Sequence, residues 1–164
     1  LQMNAASPTS PTSSAAGDYF ASPYWLGLPR GTCIAITMLQ VLAGFGYIAW
    51  FVWLLDAPAS VFENSLLKTR LAKFLLVHTF LIASIAWPFA AYFYMQGKTV
   101  ARAVLACAPL WIAALAVILL VGGTFEAAAP PLPTIGILLL AMIVVLADGV
   151  GWSAACIKQA QASS

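Results

Sequence analysis

The sequence predicts an all-α protein that crosses a membrane four times, with an aromatic segment lying at the interface before the first crossing. Four apolar runs carry that prediction, at about residues 32–55, 71–95, 100–122 and 134–157. Each is 23 to 25 residues long, and none holds more than two acidic, basic or histidine side chains. A helix rises about 1.5 Å per residue and the hydrocarbon core is about 30 Å thick, so each run is long enough to span it. Composition agrees: 63% of residues are hydrophobic, 7% are charged and the mean hydropathy is +0.96, where a soluble domain carries roughly 25% charged residues.

Residues 1–17 (LQMNAASPTSPTSSAAG) form a Ser/Thr/Pro/Ala arm without a charge. Such a segment buries too little apolar surface to order itself, so a disordered or extended arm is expected. Its hydroxylated, acid-free character suits the end of an organelle transit peptide, although the arginines of such peptides are absent. Residues 18–30 hold Tyr19, Phe20, Tyr24, Trp25 and Leu26, broken by Pro23 and Pro29. Trp and Tyr favour the headgroup region, which makes this the interfacial segment.

The bundle proper is expected over 31–158, with a short polar tail at 159–164. Span one ends at Asp56 and Pro58, with Trp50 and Trp53 as belt residues near its far end. The next connection contains Ser60-Val61-Phe62-Glu63, which fits the S-x-x-E capping box and predicts a second helix starting near Val61. Phe62, Leu66 and Leu67 would then line one apolar face, with Lys68, Arg70 and Lys73 at the headgroups. Span two contains Pro88 and span three Pro109, where a proline removes a backbone hydrogen bond and favours a kink. Gly122-Gly123 closes span three, and Pro130, Pro131 and Pro133 stiffen the turn into span four. An even number of spans puts both termini on one side. That side carries four Lys/Arg (Arg30, Lys98, Arg102, Lys158) against three on the other (Lys68, Arg70, Lys73), which favours a cytoplasmic, stromal or matrix location for the termini.

Helices in lipid associate through small residues and a few polar contacts. Candidate contact positions are Gly44 in span one, Ala83 and Ala86 in span two, and the row Ala147, Gly151 and Ala155 in span four. Two groups at membrane depth have acid–base or ligand chemistry, His78 and Asp148, and such residues default to functional hypotheses. A depth count from the span limits puts Asp148 roughly 4 Å from mid-membrane beside Gln40, and His78 roughly 8 Å to the other side near Tyr47. The expected pairs are therefore Gln40 with Asp148 and Tyr47 with His78. Asp148 is also a candidate proton or cation site. His78, on the apolar face of Leu71, Phe74, Leu81, Ile82, Ile85 and Phe89, is a candidate axial ligand to a chlorophyll or haem. A partner subunit or water would complete the coordination, because the chain holds no second histidine.

Cys33, Cys107 and Cys156 lack metal spacing; buried free thiols are expected, with a Cys33–Cys156 disulfide as the alternative. No phosphate loop, GxSxG or HExxH occurs, and the few charges do not assemble a hydrolase or transferase site. A net charge of +2, dispersed along the chain, excludes a nucleic-acid footprint. The sequence thus points to a non-catalytic membrane protein in contact with lipids and with other membrane subunits or copies of itself. An accessory or structural subunit or assembly factor of a larger complex leads, in an energy-converting organelle membrane such as the thylakoid or mitochondrial inner membrane. A small homo-oligomeric channel or transporter lined around Asp148 is the alternative.

Overall fold

A computed structural model describes residues 28–162; the N-terminal arm and most of the aromatic segment lie outside the described residues, as does the end of the polar tail. Four helices long and apolar enough to cross a membrane make up the fold: α1 (Arg30–Asp56), α2 (Arg70–Met95), α3 (Val100–Glu126) and α4 (Pro131–Ala162). Strands are absent among the described residues. The chain is an all-α polytopic membrane protein.

α3 is the central helix, flanked by α2 on one side and α4 on the other, and α1 packs chiefly along α4. The sequence explains the centrality of α3. Ala103, Ala106, Ala113, Ala114, Ala116 and Gly123 let neighbours come close, and Leu110, Val117 and Leu120 fill the remaining space. Pro88 and Pro109 sit inside α2 and α3 without ending them. α1 and α4 touch backbone to backbone. A Cβ placed on Gly46 would lie 2.6 Å from Gly136 Cα and 3.1 Å from its carbonyl oxygen, and one on Gly136 would meet the Gly46 carbonyl.

The connection from α1 to α2 departs from the capping-box expectation. Ala59–Phe62 forms a single 3₁₀ turn, and α2 begins only at Arg70, capped by the Thr69 hydroxyl accepting from Ala72 N–H at 3.0 Å. Tertiary burial explains the difference. Phe62 turns inward against Trp53 (ring centroids 5.3 Å apart) and under Lys73, whose Nζ lies 3.2 Å from the ring centroid. Ser65 Oγ donates to Gly123 O at 2.6 Å and accepts from Leu67 N–H at 3.0 Å, while Leu67 is fully buried against Gly123. Leu66 alone of the three predicted apolar residues stays exposed. Its N–H donates to Glu126 Oε2 at 2.6 Å, tying the connection to the end of α3. Beneath this plug, Trp50 Nε1–H donates to Thr124 Oγ1 at 2.8 Å, and the threonine donates on to Leu120 O at 2.7 Å.

α4 is longer than its hydropathy run and is not uniform. Its first part, Pro131–Met142, is α-helical, Ile143–Trp152 is π-helical, and Ser153–Ala162 is α-helical again. π-helical turns are wider and rare beyond a single turn. Two glycines relieve crowding in this one: a Cβ on Gly149 would stand 3.1 Å from Val144 O, and one on Gly151 3.3 Å from Leu146 O, each carbonyl five residues back. At the far end, Tyr94, Ala103, Ala106, Cys107, Cys156 and Ala160 form a second buried cluster, and Tyr94 Oη donates to Cys156 O at 3.0 Å. All three cysteines are free and buried, and Cys156 lies with Cys107 rather than with Cys33.

Candidate functional site

The polar residues at membrane depth lie apart from one another. Tyr47 is level with span two as the depth count expects, but it meets Phe80, at 5.6 Å between ring centroids, and stacks on Trp50 and Phe51. Its hydroxyl is buried without a hydrogen-bond partner. His78 lies two residues before Phe80 on α2, about 200° away around a helix of 3.6 residues per turn, and is exposed on the outer surface. The Tyr47–His78 pair therefore does not form, because the depth is right and the face is wrong.

The Gln40–Asp148 pair also does not form, and here the level is wrong. Gly46 and Gly136 fix the register of α1 on α4. Gln40 is six residues from that contact (46 − 40), whereas Asp148 is twelve (148 − 136), or roughly 9 against 18 Å along the helices. The depth count set the middles of spans one and four level, whereas the contact joins Gly46, three residues past the middle of α1 (46 − 43), to Gly136, about ten residues before the middle of α4. Gln40 is exposed on the outer face of α1, and Asp148 is half-buried within the π-helical segment, its carboxyl making no hydrogen bond to another described residue.

The small residues divide in the same way. Ala83 is buried and Ala86 half-buried, so they face the bundle. Gly44 is exposed with open space around it, and the neighbouring Gly46 makes the contact instead. In α4 from Ala147 onward the buried positions are Gly149, Ser153, Cys156 and Ala160, while Gly151 is exposed and Ala147 and Ala155 are half-buried. Two other polar atoms are buried without partners, Trp87 Nε1 and Ser153 Oγ, and the Trp87 ring meets Trp152 edge-on at 5.6 Å. Among the described residues no hydrogen bond joins these atoms to Tyr47, Gln40 or Asp148.

Two features were not foreseen. The first is a cleft of about 670 Å³ at the plug end, lined by Trp53, Asp56, Pro58, Val61, Glu126 and Pro130 among others. Its two carboxylates end α1 and α3 on the same side of the bundle, a signal the sequence did carry. The second is the state of His78. Its Nδ1 lies 2.8 Å from Phe74 O, and its ring stacks on Phe74 with centroids 3.8 Å apart. A carbonyl oxygen only accepts, so Nδ1 carries the hydrogen, and the lone pair of that tautomer is on Nε2. Among the described residues no group of three or more His, Cys, Asp or Glu is placed to hold a metal ion.

The fold and these positions define a class, a four-span helical membrane protein whose described residues lie almost wholly in the four helices. Comparison with protein-family models, with curated proteins and with solved structures finds no significant match.

Proposed function

We propose that this chain is a non-catalytic accessory or structural subunit, or an assembly factor, of a larger membrane complex, with an energy-converting organelle membrane as its setting. The observation that carries the reading is the outer face of α1. Gln40 and Gly44 lie one turn apart on that face, both exposed, with open space where a Gly44 side chain would stand. A polar amide that faces hydrocarbon lacks a partner, and a glycine one turn away lets a second backbone approach. Together they suit a helix from another subunit. The channel or transporter alternative gains less support, because Asp148 is separate from the other polar groups.

The test is extraction from the native membrane in mild detergent, followed by measurement of the particle's mass. The proposal expects a hetero-complex that Gly44→Leu releases as free, folded chain, while Asp148→Asn stays incorporated. A small homo-oligomer that conducts ions in liposomes, with the flux lost in Asp148→Asn, would overturn it.

A further inference from the structure

We infer that the lipid-facing surface of α2 around His78 is an axial-ligand site for a metallotetrapyrrole. Its central magnesium or iron would be held by His78 Nε2, and its macrocycle would lie flat along the helix. The inference rests on α2 and is independent of the role given to the outer face of α1.

Three observations lead to it. First, the ring is preset as a ligand. Histidines that bind metals almost always donate their other N–H to a carbonyl or carboxylate, which fixes the tautomer and the ring's orientation. Here Nδ1 is held 2.8 Å from Phe74 O, which leaves Nε2 as the nitrogen available to a metal. Second, the ring is exposed on the outer surface at membrane depth. His78 is eight residues beyond Arg70, the first residue of α2 (78 − 70), or about 12 Å along the helix. Acyl chains offer neither a hydrogen-bond donor nor a Lewis acid to satisfy Nε2.

Third, the surface on both sides of the imidazole is apolar, exposed and on one helical face. Phe74 (56% exposed) and Leu75 (52%) precede His78 by four and three residues. Leu81 (38%), Ile82 (64%) and Ile85 (64%) follow it by three, four and seven. These spacings place all five on the face of His78. The coordinating nitrogen is thus at the middle of the patch. That suits a wide flat ligand whose binding atom is at its centre, as the metal of a tetrapyrrole is. A quinol or a lipid hydroxyl presents its donor at one edge and would cover one side only.

The test uses the full chain in lipid nanodiscs and zinc protoporphyrin IX, whose metal accepts a single axial ligand. We expect a saturable shift of the Soret band to longer wavelength, at one porphyrin per chain, that is absent from empty nanodiscs. His78→Ala should lose the shift while keeping helical content and elution volume, since the side chain is on the lipid side. His78→Gly should regain it on addition of free imidazole, which a merely structural role would not produce. No shift with the unaltered chain, a shift that survives His78→Ala, or a folded His78→Gly protein that imidazole fails to rescue would each overturn the assignment. So would His78-dependent binding of a long-chain quinol with none of the porphyrin.

Discussion

Replacing Gly46 by Ala tests how α1 is held. The added Cβ would stand 2.6 Å from Gly136 Cα and 3.1 Å from its carbonyl oxygen. Both are backbone atoms, so no rotamer change makes room. Ordinary contact begins near 3.4 Å, and the two helices must therefore part by close to 1 Å at their crossing. A gap of that size forfeits a quarter to a half of each dispersion contact it opens, and overpacking of this kind costs typically about 1–3 kcal/mol. We expect a loss of about 2 kcal/mol, read from unfolding by a denaturing detergent titrated into mild micelles and followed by circular dichroism. Gly44→Ala is the control: with nothing within 4 Å of its new methyl, it should be neutral or gain up to about 1 kcal/mol from helix propensity. Gly136→Ala should cost at least as much as Gly46→Ala, because its Cβ would press closer still on the Gly46 carbonyl. The double variant should cost less than the sum, because the first methyl has already parted the helices. If Gly46→Ala is no more damaging than Gly44→Ala, the glycine contact does not hold α1 to α4.

Two more predictions concern the plug end. Thr124→Val removes the acceptor of the buried Trp50 Nε1–H while keeping the side chain's shape. It should destabilise by about 1–3 kcal/mol, the penalty of an orphaned buried donor, and the same detergent titration would show it. Ala128 lies in the left-handed region at φ 47°. Relief of about 1–2 kcal/mol of strain outweighs the 0.5–1 kcal/mol entropy penalty of glycine, roughly, so Ala128→Gly should raise the thermal midpoint in detergent; a lower midpoint refutes the argument.

The four spans were legible because burial in lipid is a demand on each helix separately, and apolar length alone answers it. What lay beyond hydropathy was which face meets which neighbour. In a soluble helix the polar side marks the surface, but here Leu and Ile cover lipid-facing and bundle-facing positions alike, so Gly44 and Gly46 look equivalent in sequence. The same ambiguity misplaced His78: its depth followed from chain length, but its direction depended on Val77, Phe80 and Ala83 being the buried side of α2. The Ser60–Glu63 capping signal is local, and it lost to the burial of Phe62 and Leu67. For the π-helical stretch of α4, only Gly149 and Gly151 hinted at a change. Hydropathy has no period by which to tell a five-residue hydrogen-bond step from a four-residue one.

That stretch sets how the chain tolerates length change. Losing one residue from an ordinary helix turns everything downstream by about 100° and would swing Cys156 and Ala160 away from the cluster they share with Tyr94. Within Ile143–Trp152 the wide turns hold spare chain, so a single deletion there can be taken up as i→i+5 bonds tighten to i→i+4, with both flanking segments keeping their faces. Inherited one-residue deletions are accordingly expected to survive in this segment of α4 and to be purged from α1, α2 and α3.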